Sequence, residues 1–428
     1  MQTIPTVDTD KFNLAQTLED WPQAGEGFAV PYSLFTEQEA YTAEQERIFR
    51  GETWSFVGLE QEIPEVGDFK STFIGETPVI VMRDEEGGVN VVVNRCAHRG
   101  AKVCRSLRGN VPNLECVYHS WAYNLKGDLI GVPFRRGLKG NGGMPKDFDM
   151  KQHSLQSLRV EIFNGLVFAS FSSSVADLET YLGPMASAAI RRIFNRPIKI
   201  LGDERQRIFG NWKLYSENTR DPYHASLLHM FHTTFGLYRS TQTGVSKMDD
   251  NRCHAMLTAK AGSSSAEADA EAYANQRAFN SEFTLQDPSL LKGKLEFEDE
   301  VTLVILALFP NLVVQQIANT LAVRQIVTYG PKEFELVWTS FGYVDDDTEM
   351  QGVRIKQNNL IGPAGLISME DGEAVELVQD GIQSDQNNVS YIGMGGGRSE
   401  DADHLVTEGT IIGFWEFYRN IMSGERKV

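Results

Sequence analysis

No run of about 18 apolar residues occurs in the chain, so a membrane span is not expected. Residues 1–20 mix acids and polar groups without the basic-then-apolar order of a secretory leader, which predicts a cytoplasmic protein. Positive charge is in deficit. Forty Lys and Arg stand against 58 Asp and Glu, and the formal net charge of −18 speaks against nucleic acid and anionic membranes as partners. Cysteine is scarcer still: Cys96, Cys104, Cys116 and Cys253 are all there are. Three of them fall within 21 positions, two of those close to histidines, and in a chain without a leader that favours metal ligation over disulfides.

At 428 residues there is material for two domains, since single cores stop growing near ~250–300 residues. Residues 36–49 read as a helix, with Glu37 and Glu39 at its start and Arg47 and Arg50 at its end, as the helix dipole prefers. From 53 to 171 short strands dominate. Residues 77–94 are two β-branched runs around an acidic Gly-Gly turn, a hairpin signal, and residues 165–171 close the all-β stretch. Helical character resumes over 177–194 and from 212 through "DPYHASLLHMFH". The Ala-, Ser- and Glu-rich residues 261–276 read as a mobile excursion. The apolar runs 301–317, 320–330 and 334–344 read as antiparallel strands of a second sheet, with a final helix over 408–422 packed on it.

Two constellations carry chemistry. The first is Cys96-Ala-His98 and Cys116-Val-Tyr-His119, with 17 residues between the pairs. Two thiolates and two imidazoles hold either a structural zinc or a Rieske [2Fe–2S] cluster, in which the cysteines take one iron and the histidines the other. The order Cys-x-His then Cys-x2-His departs from the usual zinc spacing. Nearby glycines permit tight loops whose amides approach cluster sulfurs.

The second is "NWKLYSENTRDPYHASLLHMFH", where Asp221, His224, His229 and His232 crowd into 12 positions. Two neutral imidazoles and a carboxylate make the facial triad of non-haem iron(II) oxygenases. The choice of histidines stays open on spacing alone. His229 and His232 share a helix face, whereas His224 and His229 stand about 140° apart and need a widened or broken turn.

"CAHRGAKVC" and "CVYHSWAYNLKGDLIGVP" closely resemble the Rieske domains of bacterial aromatic-ring-hydroxylating oxygenases, and the likeness runs through nearly the whole chain. It implies an α+β fold: an N-terminal helical part of the catalytic domain (residues 1–48), an all-β Rieske domain (49–172) and a helix-grip, START-like catalytic domain (173–428) with an antiparallel sheet flanked by helices. It implies that Cys96, Cys116, His98 and His119 hold the cluster, with Cys104 a small core residue. The mononuclear iron(II) would be held by His224, His229 and Asp371, with Glu370 the runner-up for the carboxylate and His232 structural. Asp221 would bridge the two metals of neighbouring subunits, hydrogen-bonded to His224 on its own iron and to His119 across the interface. Asn218 would be a polar neighbour of the mononuclear iron, and Thr219, Ile361 and Ile367 resemble pocket-lining positions.

The resemblance is closest to large subunits acting on salicylate, anthranilate or terephthalate. Such substrates are anions, so a local cation must offset the negative field; Arg324, set in an apolar strand, is the candidate, with His404 the only sign of a second. O2 would be the co-substrate. The expected partners are a small β subunit in an α3β3 hexamer and a ferredoxin or NAD(P)H-dependent reductase. No Gly-x-Gly-x-x-Gly follows a strand, so a nicotinamide would bind the partner. The alternatives are a Rieske monooxygenase or demethylase, an electron carrier with the cluster alone, and a colourless zinc module.

Overall fold

The computed structural model describes residues 12–21, 23–24 and 27–424; the polar lead over residues 1–11 lies outside them. The first half is built of small antiparallel sheets. One has four strands, in which Thr77–Arg83 and Val89–Val93 form the expected hairpin, with Asp68–Ile74 and then Arg108–Asn110 at the far side. A second, three-stranded sheet pairs Leu166–Ser170 with both Arg159–Phe163 and Ser55–Leu59. A third, of two- and three-residue strands, joins Leu114–Glu115, Ala122–Tyr123 and Leu129–Gly131 and carries the second Cys/His loop at its edge.

The second half is a seven-stranded antiparallel sheet. Its spatial order runs Ile198–Ile208, Glu333–Tyr343, Thr320–Gly330, Leu312–Ile317, Leu303–Leu308, Ala255–Ala259 and Gly244–Met248. The central strands are buried on both faces, so they read as apolar runs rather than alternating ones. The run over 301–317 proves to be two strands joined by a turn. Helices Trp212–Asn218, Pro222–Leu228, Met230–Phe235 and Leu366–Ile382 lie nearby, and Gly409–Ser423 buries its aromatic face, including Phe414, Trp415 and Tyr418.

Three readings change in detail. The helix over 36–49 starts earlier, as Ser33–Thr36, breaks at the extended Glu37, resumes as Gln38–Glu44 and ends in a π-helical turn, Gln45–Phe49. Residues 261–276 contain a helix, Ala266–Tyr273, capped by Ser265 and tied down by Asp269, which accepts from Thr241 and Arg239. The sequence reading had no strand over Ile198–Ile208: its charged residues face water at the sheet edge, which hides it.

Candidate metal centres

The two Cys/His loops have the same backbone design. The Cys96 and Cys116 carbonyls accept from the amides four residues on, Gly100 and Ser120, each at 2.9 Å. Both of those residues are left-handed, at φ +73° and +51°. Each cysteine amide in turn donates to the carbonyl five residues on, Ala101 or Trp121. Two tight loops of one shape thus present their cysteines inward, both buried. The His98 and His119 rings lie at the outer end, centroids 4.6 Å apart, with His98 stacked on Trp121. The Tyr123 hydroxyl is 3.2 Å from Cys96 Sγ and accepts from the Ala97 amide. Asn94 ties down the first loop's exit, accepting from Val103 and Cys104 and donating to the Cys104 carbonyl. Arg99 lies beside His119, its guanidinium 2.8 Å from Nε2. Buried thiols backed by aromatics, with imidazoles outermost, fit a cluster whose histidine-ligated iron faces outward. Cys104 stands apart, its Sγ against the Ser106 carbonyl.

In the second half the histidine stretch is three short helices rather than one. Asp221 caps the helix Pro222–Leu228, its Oδ1 accepting from the Tyr223 and His224 amides, with Pro222 in the first turn where no amide is needed. That helix stops at His229, whose extended backbone (φ −85°, ψ 93°) begins the next. The break turns His229 onto the same side as His224, their ring centroids 5.5 Å apart.

Asp371, on Leu366–Ile382, completes the group: its Oδ1 lies 3.4 Å from His224 Nε2 and 3.2 Å from His229 Nε2. One ligand atom from each of the three falls within 4.8 Å of the others. Asn218 donates to Asp371 Oδ1 at 2.9 Å. Glu370, the rival carboxylate, faces away from the group and bonds His229 Nδ1 at 2.8 Å, which aims Nε2 at the centre. His224 Nδ1 is 3.3 Å from Asp221 Oδ2.

Electrostatics mark this as a cation site. Burial acts to lower the His224 pKa, yet Asp221 and Asp371 outweigh it and hold it up to about 10. Burial likewise opposes the ionised Asp371, but His229 and His224 keep its carboxyl well below the usual range. His232 is different: burial and then His229 push it down to about 3, leaving a neutral ring packed against His229. His224, His229 and Asp371 would hold a non-haem iron(II) and leave room beside it for oxygen.

A cavity of about 60 Å³ adjoins the triad. Asn218, Thr219, Asp221, Ile367 and Arg324 line it, and so does His232. Ile361 is buried in the core outside this lining. His404 is exposed, its Nδ1 accepting from the Val406 amide, and does not reach the cavity. Leu257, Leu303, Ile305, Ile317 and Tyr238 also line it, and nothing in the sequence separates these from ordinary core positions.

Among the described residues, no helix is long and apolar enough to cross a membrane. Residues 53–141 match the Rieske [2Fe-2S] domain family, and residues 198–424 match the ring hydroxylating alpha subunit (catalytic domain) family. The anthranilate 1,2-dioxygenase large subunit of Burkholderia cepacia is 51% identical over 93% of this chain and 94% of its own. The terephthalate 1,2-dioxygenase terminal oxygenase subunit alpha 2 of Comamonas sp is 46% identical over 92% and 96%. The large oxygenase component of salicylate 5-hydroxylase from Ralstonia sp is 44% identical over 94% and 96%. Naphthalene 1,2-dioxygenase from Rhodococcus sp. shares the fold, with a TM-score of 0.78 at 22% identity over 96% of this chain and 98% of its own. Fold, donor sets and relatives agree: the chain belongs to the ring-hydroxylating oxygenase alpha subunits, terminal oxygenases that join a Rieske [2Fe–2S] cluster to a mononuclear iron and use O2 on aromatic rings.

Proposed function

We propose that this oxygenase hydroxylates a single-ring aromatic monocarboxylate of the salicylate or anthranilate kind. The observation that carries it is Arg324: its side chain is buried beside the iron triad and has no carboxylate partner among the described residues. A buried cation is costly without an anion, and the substrate's carboxylate is that anion. The cavity wall is otherwise apolar on its sheet side, as an arene requires. Arg324 is the one Lys or Arg in the lining, which argues against a terephthalate-like dicarboxylate.

In this reading the chain divides at residues 1–48, 49–172 and 173–428. Cys96, Cys116, His98 and His119 hold the cluster, and His224, His229 and Asp371 hold the iron. When bound, these groups supply single electrons and oxygen activation respectively. The residues do the rest. Glu370 orients His229, Asn218 holds Asp371, Arg324 seats the carboxylate, and the apolar wall keeps water from the ring.

The two centres are proposed to meet between subunits. Val117, Tyr118, Phe134 and Leu138 are exposed apolar side chains on or near the second cluster loop. Val378 and Tyr391 are exposed at a second cavity, of about 290 Å³, whose lining also includes Asp221 and His224. Two different apolar patches on one chain suit a head-to-tail ring. Asp221 then bridges His224 and the partner subunit's cluster, in an α3β3 assembly fed by a ferredoxin or reductase. A cytoplasmic location is supported by four cysteines with no disulfide.

The test is composition followed by turnover. A brown protein with about three irons and two sulfides per chain is expected. With a reductase system it should consume O2 on salicylate, anthranilate or benzoate. Turnover confined to terephthalate or to uncharged arenes would overturn the substrate reading, and a colourless zinc protein would overturn all of it.

A further inference from the structure

Arg324 stands on the sheet face that borders the cavity. It is opposite Trp338 on one side and Val313 on the other, while Gln315 is opposite Ala322, two residues from Arg324. Side chains alternate along strands, so Gln315, Arg324 and Trp338 share that face with Ile305, which pairs with Gln315 and lines the cavity.

The guanidinium is held by Tyr215, Trp338 and Gln315, with one donor left over. Nη1 donates to the Tyr215 hydroxyl at 2.7 Å, and Cζ lies over the Trp338 ring, 4.2 Å from its centroid. The opposite edge is formed by Nε and Nη2, the pair that grips a carboxylate in parallel hydrogen bonds. There Nη2 donates to Gln315 Oε1, while Nε has no partner. Gln315 Nε2 and Trp338 Nε1 are also buried without partners. The unsatisfied atoms of Arg324, Gln315 and Trp338 are all donors, so the chemistry these three lack is an acceptor, and beside a guanidinium an anion suits best.

We propose that the Nε–Nη2 edge of Arg324 is the seat of the substrate's carboxylate and that Gln315 gates it. The Gln315 side-chain oxygen holds half of that edge in the substrate-free chain. The carboxylate displaces it and takes both donors, and the freed amide turns so that Nε2 donates to the same anion. Gln315 is therefore a specificity-determining residue, set behind Arg324 rather than in the cavity wall. This rests on the reading of the substrate as a carboxylate.

The test compares benzoate with benzamide, a neutral analogue of the same shape, by calorimetric titration of the holoenzyme without oxygen. The native enzyme is expected to bind benzoate at least about tenfold more tightly. Gln315→Glu keeps the size of the side chain but fixes a negative group on the edge. It should lose benzoate binding by about a hundredfold and leave benzamide within about threefold, with the cluster spectrum unchanged. Should that variant not fold, Gln315→Leu removes the turning donor and should weaken benzoate alone by about tenfold. Equal affinities in the native enzyme would remove the carboxylate reading itself. Native preference for benzoate that survives in the Gln315 variants would remove the gate and leave that reading standing.

Discussion

At the scale of single residues, the ligands divide by what their second polar atom touches. His229 is anchored by Glu370 on one nitrogen and turned toward Asp371 by the other, while His232 is neutral and touches no carboxylate. Replacing His224 or His229 by Ala should abolish turnover and leave the visible spectrum of the cluster intact; His232→Ala should keep its iron and much of its activity. If His232→Ala loses iron as completely as the other two, the ligand choice is wrong. Glu370→Gln should lower iron affinity by about 10–100-fold, read by titration with iron(II).

A second residue marks itself by pH. Burial, then the nearby Asp221 and Glu408, lift the Glu217 carboxyl to about 8, although Trp415 donates to it at 2.6 Å. A carboxyl raised in the folded state contributes stability below the unfolded pKa, lost as pH climbs to the folded value. Between pH 5 and pH 8.5, Glu217→Gln should therefore gain on the native chain by about 4 kcal/mol in thermal melts. A constant difference between the two would show that Glu217 ionises normally.

At the scale of elements, the site depends on where helices stop. An unbroken helix from 212 to 235 would set His224 and His229 about 140° apart. The break at His229 brings them together, and the cap at Asp221 fixes where the intervening helix starts. Asp221 thus caps a helix with one oxygen and contacts His224 with the other. Asp221→Asn retains an oxygen for the cap, so both metals and the melting temperature should survive while electron transfer between the centres slows. Unchanged transfer in rapid-mixing experiments would sink the bridge. The spacing of five called for a widened or broken turn only if His224 and His229 serve one metal, and the place of the break was not legible. It is set by the packing of three short helices around Asp371, some 140 residues away in sequence.

At the scale of the whole molecule, net charge and site charge have opposite signs. The chain carries −18 overall, yet the cavity holds an unpaired arginine. The proposed assembly also belongs to this scale: Tyr118 and Phe134 are exposed apolar side chains that a neighbouring subunit would cover. Phe134→Asp should leave iron and sulfide content unchanged while light scattering reports smaller particles and turnover falls. A variant still fully assembled and active would exclude that surface from the interface.

The sequence by itself pointed to Cys96, His98, Cys116 and His119 as the candidate cluster ligands, because a cluster loop is a local object in which a few residues and one left-handed position set the geometry. It also determined the class of the second metal site, since two of its three ligands are close neighbours in the chain. The resemblance placed the carboxylate at Asp371 with Glu370 second, and only the tertiary structure turns these neighbours apart, Asp371 to Nε2 of both histidines and Glu370 to His229 Nδ1. It alone set His404 apart from the cavity and brought Gln315 to Arg324. Those relations join strands and helices far apart in sequence, and pairing and packing create them.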